Sequence, residues 1–316
     1  MASARPKTPS ILKSLAGIRF IERGWLSANN IFIFNQDELH IVDTSYDSHR
    51  AQTLSLVQQH LNQHPQSQCV SIINTHLHSD HCGGNATLQS AFPQIKTYIP
   101  QASCEAVKNW DETQLSFIPT GQECSRFQFD QALQVGHQLT LAQRTWDILG
   151  APGHDPDSVI LYNAQDGLLI SADALWQNGF GTIFPELIGE SGFDEVSQTL
   201  DLIESLDVQL VLPGHGPAFS DLASSLHTAR SRLDYLAQDP KRNAKHAAKV
   251  LLKFRLLDWQ SIRLDDAQDW IVKTPLFSSI AKILGMSLDE IKKWAPRALI
   301  ETGGARLSGD LLINQN

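Results

Sequence analysis

Thr75-His76-Leu77-His78-Ser79-Asp80-His81-Cys82-Gly83-Gly84 is the stretch that decides how this chain is read. Three imidazoles and a carboxylate fall within six residues, and these are the ligands that zinc and similar borderline metals prefer. Immediately upstream, Cys69-Val70-Ser71-Ile72-Ile73-Asn74 is short, apolar and β-branched, as a buried strand is. The Gly-Gly pair downstream ends the turn and lets a helix begin close by. The run therefore belongs on a loop at a strand end. In an extended segment residues two apart point the same way. His76 and His78 are thus spaced to grip one metal, and Asp80 and His81, where the chain turns, can aim at a second. The bland alternative is a solvated polar loop, since the chain has twelve histidines and isolated ones mean little. The density of the run argues against it.

Further ligand types sit in similar places. Thr145 to Gly150 reads as a strand and leads through Ala151-Pro152-Gly153 to His154. Gly167 to Ala172 is an apolar strand ending at Asp173, and Val208 to Leu212 leads through Pro213-Gly214 to His215. A polar residue after one strand is ordinary; four strand ends that each deliver a metal-type ligand are not.

This order of residues resembles the metallo-β-lactamase-fold superfamily of hydrolases, in particular its two-metal branch typified by glyoxalase II. The family pattern H-x-H-x-D-H, then His, Asp and His, is matched by His76, His78, Asp80, His81, His154, Asp173 and His215. The resemblance runs from about Ile18 to Phe219, with Asn29 to Phe34 and His40-Ile41-Val42-Asp43-Thr44 similar to the first hairpin and its Asp-Thr turn. It implies an α+β fold, the αββα sandwich. It assigns metal 1 to His76, His78 and His154 and metal 2 to Asp80, His81 and His215, with Asp173 bridging. It also implies two divalent ions, zinc in the first place with iron or manganese as alternatives. Asp173 stands where the best-known zinc β-lactamases carry Cys, and His78 where flavodiiron proteins carry Glu. Both departures favour hydrolysis over antibiotic destruction or oxygen reduction. Cys82 is not at a ligand position and reads as a small packing residue.

The 316 residues suit two domains, 1–222 and 223–316. The first holds 10 Lys+Arg against 24 Asp+Glu, a net −14; the second holds 15 against 10, a net +5. No apolar run approaches a membrane span. The opening Met1 to Lys7 has no apolar core after it, so no secretory leader is expected. Cys69, Cys82, Cys104 and Cys124 show no C-x-x-C spacing, which fits a cytoplasmic protein without disulfides.

Helical spacing of Leu54, Val57 and Leu61 predicts a helix over Asp47–His64, and Val196, Leu200, Ile203 and Leu206 predict another over Phe193–Leu206. From about Ala223 the chain reads as mainly helical: Asn243–Leu256, Leu276–Leu284 ending at Gly285, and a helix opened by the capping box Ser287 and Glu290 and disturbed by Pro296. Ala298 to Leu307 reads as two short strands around Gly303-Gly304. Helices followed by a hairpin resemble a winged-helix module.

The expected chemistry is hydrolysis of a small-molecule ester, thioester or lactone by a metal-bridging hydroxide, with Asp80 the catalytic candidate. Trp176 and Phe180 are candidates for substrate contact, and Asp157 or Ser158 for a hydrogen bond to a ligating imidazole. His49, His60, His64, His227 and His246 are expected to face solvent, and His137 to mark a turn. Around His215 the chain reads Pro-Gly-His-Gly-Pro, whereas glyoxalase II enzymes usually show Cys-Gly-His-Glu, so a glutathione thioester is not favoured. A ribonuclease or other phosphodiesterase is the second reading. It rests on Lys241, Arg242, Lys245, Lys249, Lys253 and Arg255, where Lys245, Lys249 and Lys253 share one helical face that is otherwise a solvated surface. The acidic first part would repel a phosphate backbone. A non-catalytic metal-binding protein is the third. The +5 of the C-terminal part complements the −14 of the rest, which favours docking beside the site, within one chain or between two in a homodimer.

Overall fold

The computed structural model describes residues 15–315. The opening Met1 to Lys7, where no leader is expected, lies outside them. The first sheet contains β1 (Ile18–Ile21), β2 (Asn30–Phe34), β3 (Glu38–Val42), β4 (Gln68–Ile73), β5 (Lys96–Pro100) and β6 (Gln131–Leu133), in that spatial order. β1 to β3 are antiparallel, and β3 to β6 run parallel through helical crossovers. Those crossovers carry α1 (Arg50–Gln63), α2 (Ser79–Cys82), α3 (Asn85–Ala91), α4 (Cys104–Asn109) and α5 (Phe117–Thr120). The second sheet has β7 (Gln138–Leu141), β8 (Arg144–Gly150), β9 (Val159–Asn163), β10 (Leu168–Ala172) and β11 (Leu210–Pro213), ordered β11-β10-β9-β8-β7. α6 (Phe193–Ser205) connects its last two strands, which lie parallel.

Period-two alternation builds the layers. Ile31 and Ile33 of β2 pack with Val42, Ile73, Trp146, Ile148, Val159, Leu161, Leu168, Ile170 and Leu212 between the sheets. The intervening Phe32 turns outward with Leu39, Ile41 and Ile72 onto Val57 and Leu88 of α1 and α3. Ile160, Tyr162, Leu169 and Val211 cover the outer face of the second sheet under Val196, Leu200 and Ile203 of α6. Sheets apolar on both faces need helices outside both, and the result is the αββα sandwich.

The chain continues as α7 (Leu222–Ala237), α8 (Pro240–Trp259), β12 (Ser261–Arg263), α9 (Leu264–Lys273), α10 (Pro275–Leu284), α11 (Leu288–Glu301), β13 (Ala305–Ser308) and β14 (Leu311–Asn314). Leu251, Leu252, Ile271, Phe277, Ile280, Ile291 and Leu299 fill its core. The Ser287–Glu290 capping box and the left-handed Gly285 form as their residue types predict. Two boundaries differ from expectation. α11 runs through Pro296 to Glu301. The hairpin is displaced: Gly303-Gly304 follows the helix end, and the strands instead pair across Gly309-Asp310, with β12 as a third strand. Lys253 ties both ends of this hairpin to α8, its ammonium donating to the Gly304 carbonyl and to Asn314 Oδ1. Among the described residues no helix is long and apolar enough to cross a membrane.

Candidate metal centre

All seven predicted ligand residues come together, each buried. Topology does this. β10 and β11 are parallel neighbours with Ala172 opposite Pro213, so the next residues, Asp173 and the Gly214-His215 turn, emerge side by side. β3 and β4 are parallel neighbours with Val42 opposite Ile73, so the turn at Asp43 lies against Thr75 and the histidine run. Thr75 carbonyl accepts from Val159 N, which ties the first sheet's loop to the strand after His154.

Three overlapping trios have ligand atoms within 4.8 Å of one another: His76, His78 and His154; His76, His81 and Asp173; Asp80, His81 and His215. His76 Nε2 is 3.2 Å from His78 Nδ1, which is 2.8 Å from His154 Nε2. His154 Nδ1 donates to the Thr182 carbonyl at 2.6 Å, which leaves its Nε2 lone pair facing the other two. Asp80 Oδ2 lies 3.1 Å from His215 Nε2, and Asp173 spans the cluster with Oδ1 3.4 Å from His81 Nε2 and Oδ2 3.4 Å from His154 Nε2.

Electrostatically the cluster has two corners. Burial, with neighbouring histidines, holds His76 well below the ordinary imidazole range and His78 down at about 3, and burial lowers His154 as well. These three rings are neutral donors of lone pairs. Burial also acts on His81, but Asp43, Asp173 and Asp80 outweigh it and raise that ring well above its usual value. Burial opposes ionisation of Asp173, yet His215 and His81 overcome it and hold the carboxyl far below its normal range.

The donor set fits metal ions. One proton on His78 Nδ1 can serve only one of its two imidazole contacts at a time, whereas a cation accepts all three lone pairs. Nitrogens around a tetrahedral ion with bonds of about 2.0–2.1 Å lie roughly 3.3 Å apart, close to the spacings here. His81 Nε2, turned toward Asp173 and Asp80, is buried without a hydrogen-bond partner among the described residues, and such an orphan calls for a ligand.

The cluster floors a cleft of about 390 Å³. Its walls correct several expectations. Trp176 lines it and donates from Nε1 to Asp173 Oδ1 at 3.2 Å, but Phe180 is 1% exposed and packs in the core of the second sheet. Phe184 takes its place, 5.3 Å from the His78 ring and 5.5 Å from the His154 ring. Asp155, rather than Asp157 or Ser158, reaches an imidazole, its Oδ2 3.4 Å from His78 Nε2; Asp157 accepts from Ser103 instead. Burial pushes the Asp155 carboxyl up to about 7. His227 faces solvent and His137 closes a turn on Gln134, both as expected, but His60 is buried against Phe34 and His64, and His246 lines the cleft. Lys249 and Lys253 also line it, so of the three lysines on that face only Lys245 is exposed as a solvated surface would have it. Trp25, which sequence reasoning passed over, is 59% exposed and stacks on His215 with ring centroids 5.6 Å apart. It lies in a turn with no periodic signal.

The sequence model of the metallo-beta-lactamase superfamily matches residues 23–215. The chain belongs to this superfamily. Its relatives include the "Probable metallo-hydrolase YqgX" of Bacillus subtilis (strain 168), 28% identical over 198 residues, which are 61% of this chain and 87% of that protein. The hydroxyacylglutathione hydrolase of Xanthomonas euvesicatoria pv. vesicatoria (strain 85-10) is 28% identical over 190 residues, 59% of this chain and 63% of the relative, so the chain spans less than two thirds of that enzyme's length. A solved beta-lactamase domain protein from Burkholderia ambifaria has a TM-score of 0.57 at 18% identity, covering 95% of this chain and 93% of its own. That likeness is one of fold, and it includes the C-terminal helices. Superfamily membership and the His/Asp cluster together support a metal-dependent hydrolase.

Proposed function

We propose that this chain is a two-metal hydrolase of small acyl esters, thioesters or lactones. In this reading His76, His78 and His154 hold one ion, Asp80, His81 and His215 hold the second, and Asp173 serves both. Residues 1–222 form the catalytic unit and 223–316 a unit that walls its mouth. The observation that carries the reading is the convergence of three ligand trios at the floor of one cleft. Two divalent ions, zinc by preference with iron or manganese as alternatives, supply Lewis acidity and acidify water near neutral pH.

The protein's own groups do the rest. Asp80, at the cleft surface with one oxygen on His215, orients an incoming water and accepts its proton. Asp43 and the Thr182 carbonyl fix the orientations of His81 and His154. Trp25, Trp176 and Phe184 cover the cluster and restrict water. The hydroxyacylglutathione hydrolase relatives support thioesters within the substrate class. Four unpaired thiols support a reducing cytoplasm. The partner in this reading is a small molecule, which a cleft of about 390 Å³ accommodates, and the net −14 of residues 1–222 disfavours nucleic acid; a homodimer is compatible with it.

The test is a hydrolysis panel on metal-analysed protein, with lactones, aryl esters, acyl thioesters, phosphodiesters and RNA side by side. Turnover of an ester, thioester or lactone that disappears with chelation and returns with metal is the expected result. Activity confined to phosphodiesters or RNA would replace this reading.

A further inference from the structure

One wall of the cleft is cationic. Arg232 of α7 and Lys249 and Lys253 of α8 line the same cavity as Asp80, Asp173 and His215. The cluster makes no use of them. Arg232 is fixed from behind: Nη1 donates to the Phe180 carbonyl at 3.0 Å, Nη2 donates to His246 Nε2 at 2.8 Å, and the guanidinium lies 5.0 Å over the Phe180 ring. Gly179 permits this approach, since a Cβ there would come within 2.8 Å of Arg232 Nη1. Lys253 spends its donors on the C-terminal strand. Lys249, half-buried, makes no hydrogen bond or ion pair among the described residues.

None of the three is paired with a carboxylate among the described residues. Among the described residues the carboxylates on the cleft lining are Asp80 and Asp173, and both face cluster imidazoles. All three come from residues 223–316, the part of the chain with a net charge of +5, and they face the ligand-bearing part with −14. Partly desolvated cations without counter-ions are unfavourable until an anion completes them. Burial accordingly lowers the affinity of Arg232 and Lys253 for their protons. Val250, Phe254, Leu257 and Leu299 line the same cavity, and its volume of about 390 Å³ suits a small molecule.

We propose that Lys249 and Arg232 form an anion subsite, so that the acyl ester or thioester taken by this site carries a carboxylate or phosphate group. Lys249 supplies a free ammonium, Arg232 a fixed guanidinium edge. The identity of the reaction rests on the hydrolase reading above; the binding of the anion does not.

The test separates the two. Three thioethers that cannot be hydrolysed are titrated calorimetrically: S-ethyl-N-acetylcysteamine, which is neutral, S-ethylglutathione, which carries carboxylates, and S-ethyl coenzyme A, which carries phosphates. Each is titrated into the full chain and into Lys249→Gln and Lys249→Arg at low and moderate salt, with an RNA oligomer as a fourth probe. At least one anionic thioether is expected to bind about tenfold or more tightly than the neutral one. Lys249→Gln should remove most of that advantage, Lys249→Arg should keep it, and salt should weaken it. Whether the carboxylate or the phosphate probe wins identifies the group. The proposal is overturned if neither anionic thioether is preferred, whether or not the neutral one binds, if Lys249→Gln weakens all three alike, or if RNA alone binds. Hydrolysis of S-acetyl-N-acetylcysteamine, S-acetylglutathione and acetyl coenzyme A by the metal-reconstituted wild type is measured in parallel. Absence of turnover with all three would count against the hydrolase reading and leave the binding comparison standing.

Discussion

Asp43 Oδ2 accepts from His81 Nδ1 at 2.8 Å and from Thr75 Oγ1 at 2.8 Å, while its Oδ1 accepts from Thr75 N at 2.9 Å. One buried carboxylate therefore fixes both the loop that carries the histidines and the ring that stands at the centre of the cluster. In the two-metal reading proposed above, His81 Nε2 is the atom left for a metal. Asp43→Asn puts an amide donor among donors, and because Asn tolerates the left-handed φ of 55° at this position, the backbone should not object. Metal affinity, measured by chelator competition, should fall by about 10–100-fold. Unchanged affinity would mean that His81 is positioned by packing alone.

Asp80→Ala removes the carboxylate that touches His215 and meets the cleft. Activity on the true substrate should fall by about a hundredfold or more, and metal content after reconstitution should drop by one equivalent. The thermal midpoint should change little. Near-normal turnover in this variant would refute the assigned role.

The sandwich, and the seven candidate residues that it brings together, could be read in the sequence because both follow local rules. Strand ends alternate faces, and the four ligand segments each follow an apolar strand. What could not be read depends on distant packing. Trp25 meets His215 across 189 intervening positions, Asp155 finds His78 through a loop that also offered Asp157, and Lys249 faces the cleft on a helix whose Asn243 donates to the Ile183 carbonyl of the loop after Trp176. Helical spacing placed Lys245, Lys249 and Lys253 on one face correctly but cannot say what that face meets. The Gly303-Gly304 pair looks like a hairpin turn locally, and a helix that continues through Pro296 overrides it.

Gly181 lies against the cluster: a Cβ there would come within 2.4 Å of His154 Nδ1, the atom that donates to Thr182. Gly181→Ala must displace a ring held on both sides. The expected result is loss of metal from the His76–His78–His154 corner and a stability cost of about 1–3 kcal/mol. Gly24→Ala, with nothing within 4 Å of the added carbon, is the control and should be neutral in both assays. Equal behaviour of the two variants would show that the loop yields freely.

His246 gives a pH prediction with a definite sign. Burial first, then the charges of Arg232 and Lys249, lower its pKa from 6.5 to about 4, so the folded protein holds the ring neutral as acceptor for Arg232. The unfolded chain binds the proton first as pH falls. The contribution is therefore fully present above about pH 6.5 and is lost progressively down to about pH 4. A shift of about 2.5 units at 1.36 kcal/mol each sets a ceiling of about 3 kcal/mol, reduced by whatever part of the ring meets water. His246→Gln keeps an acceptor for Arg232 but cannot titrate. Denaturant midpoints for both proteins at pH 7 and pH 4.5 isolate this group, since other titrating groups are common to the pair. The wild type should lose more stability over that interval than the variant; equal losses would mean that His246 takes up its proton in the folded state without penalty, and that Arg232 does not depend on it.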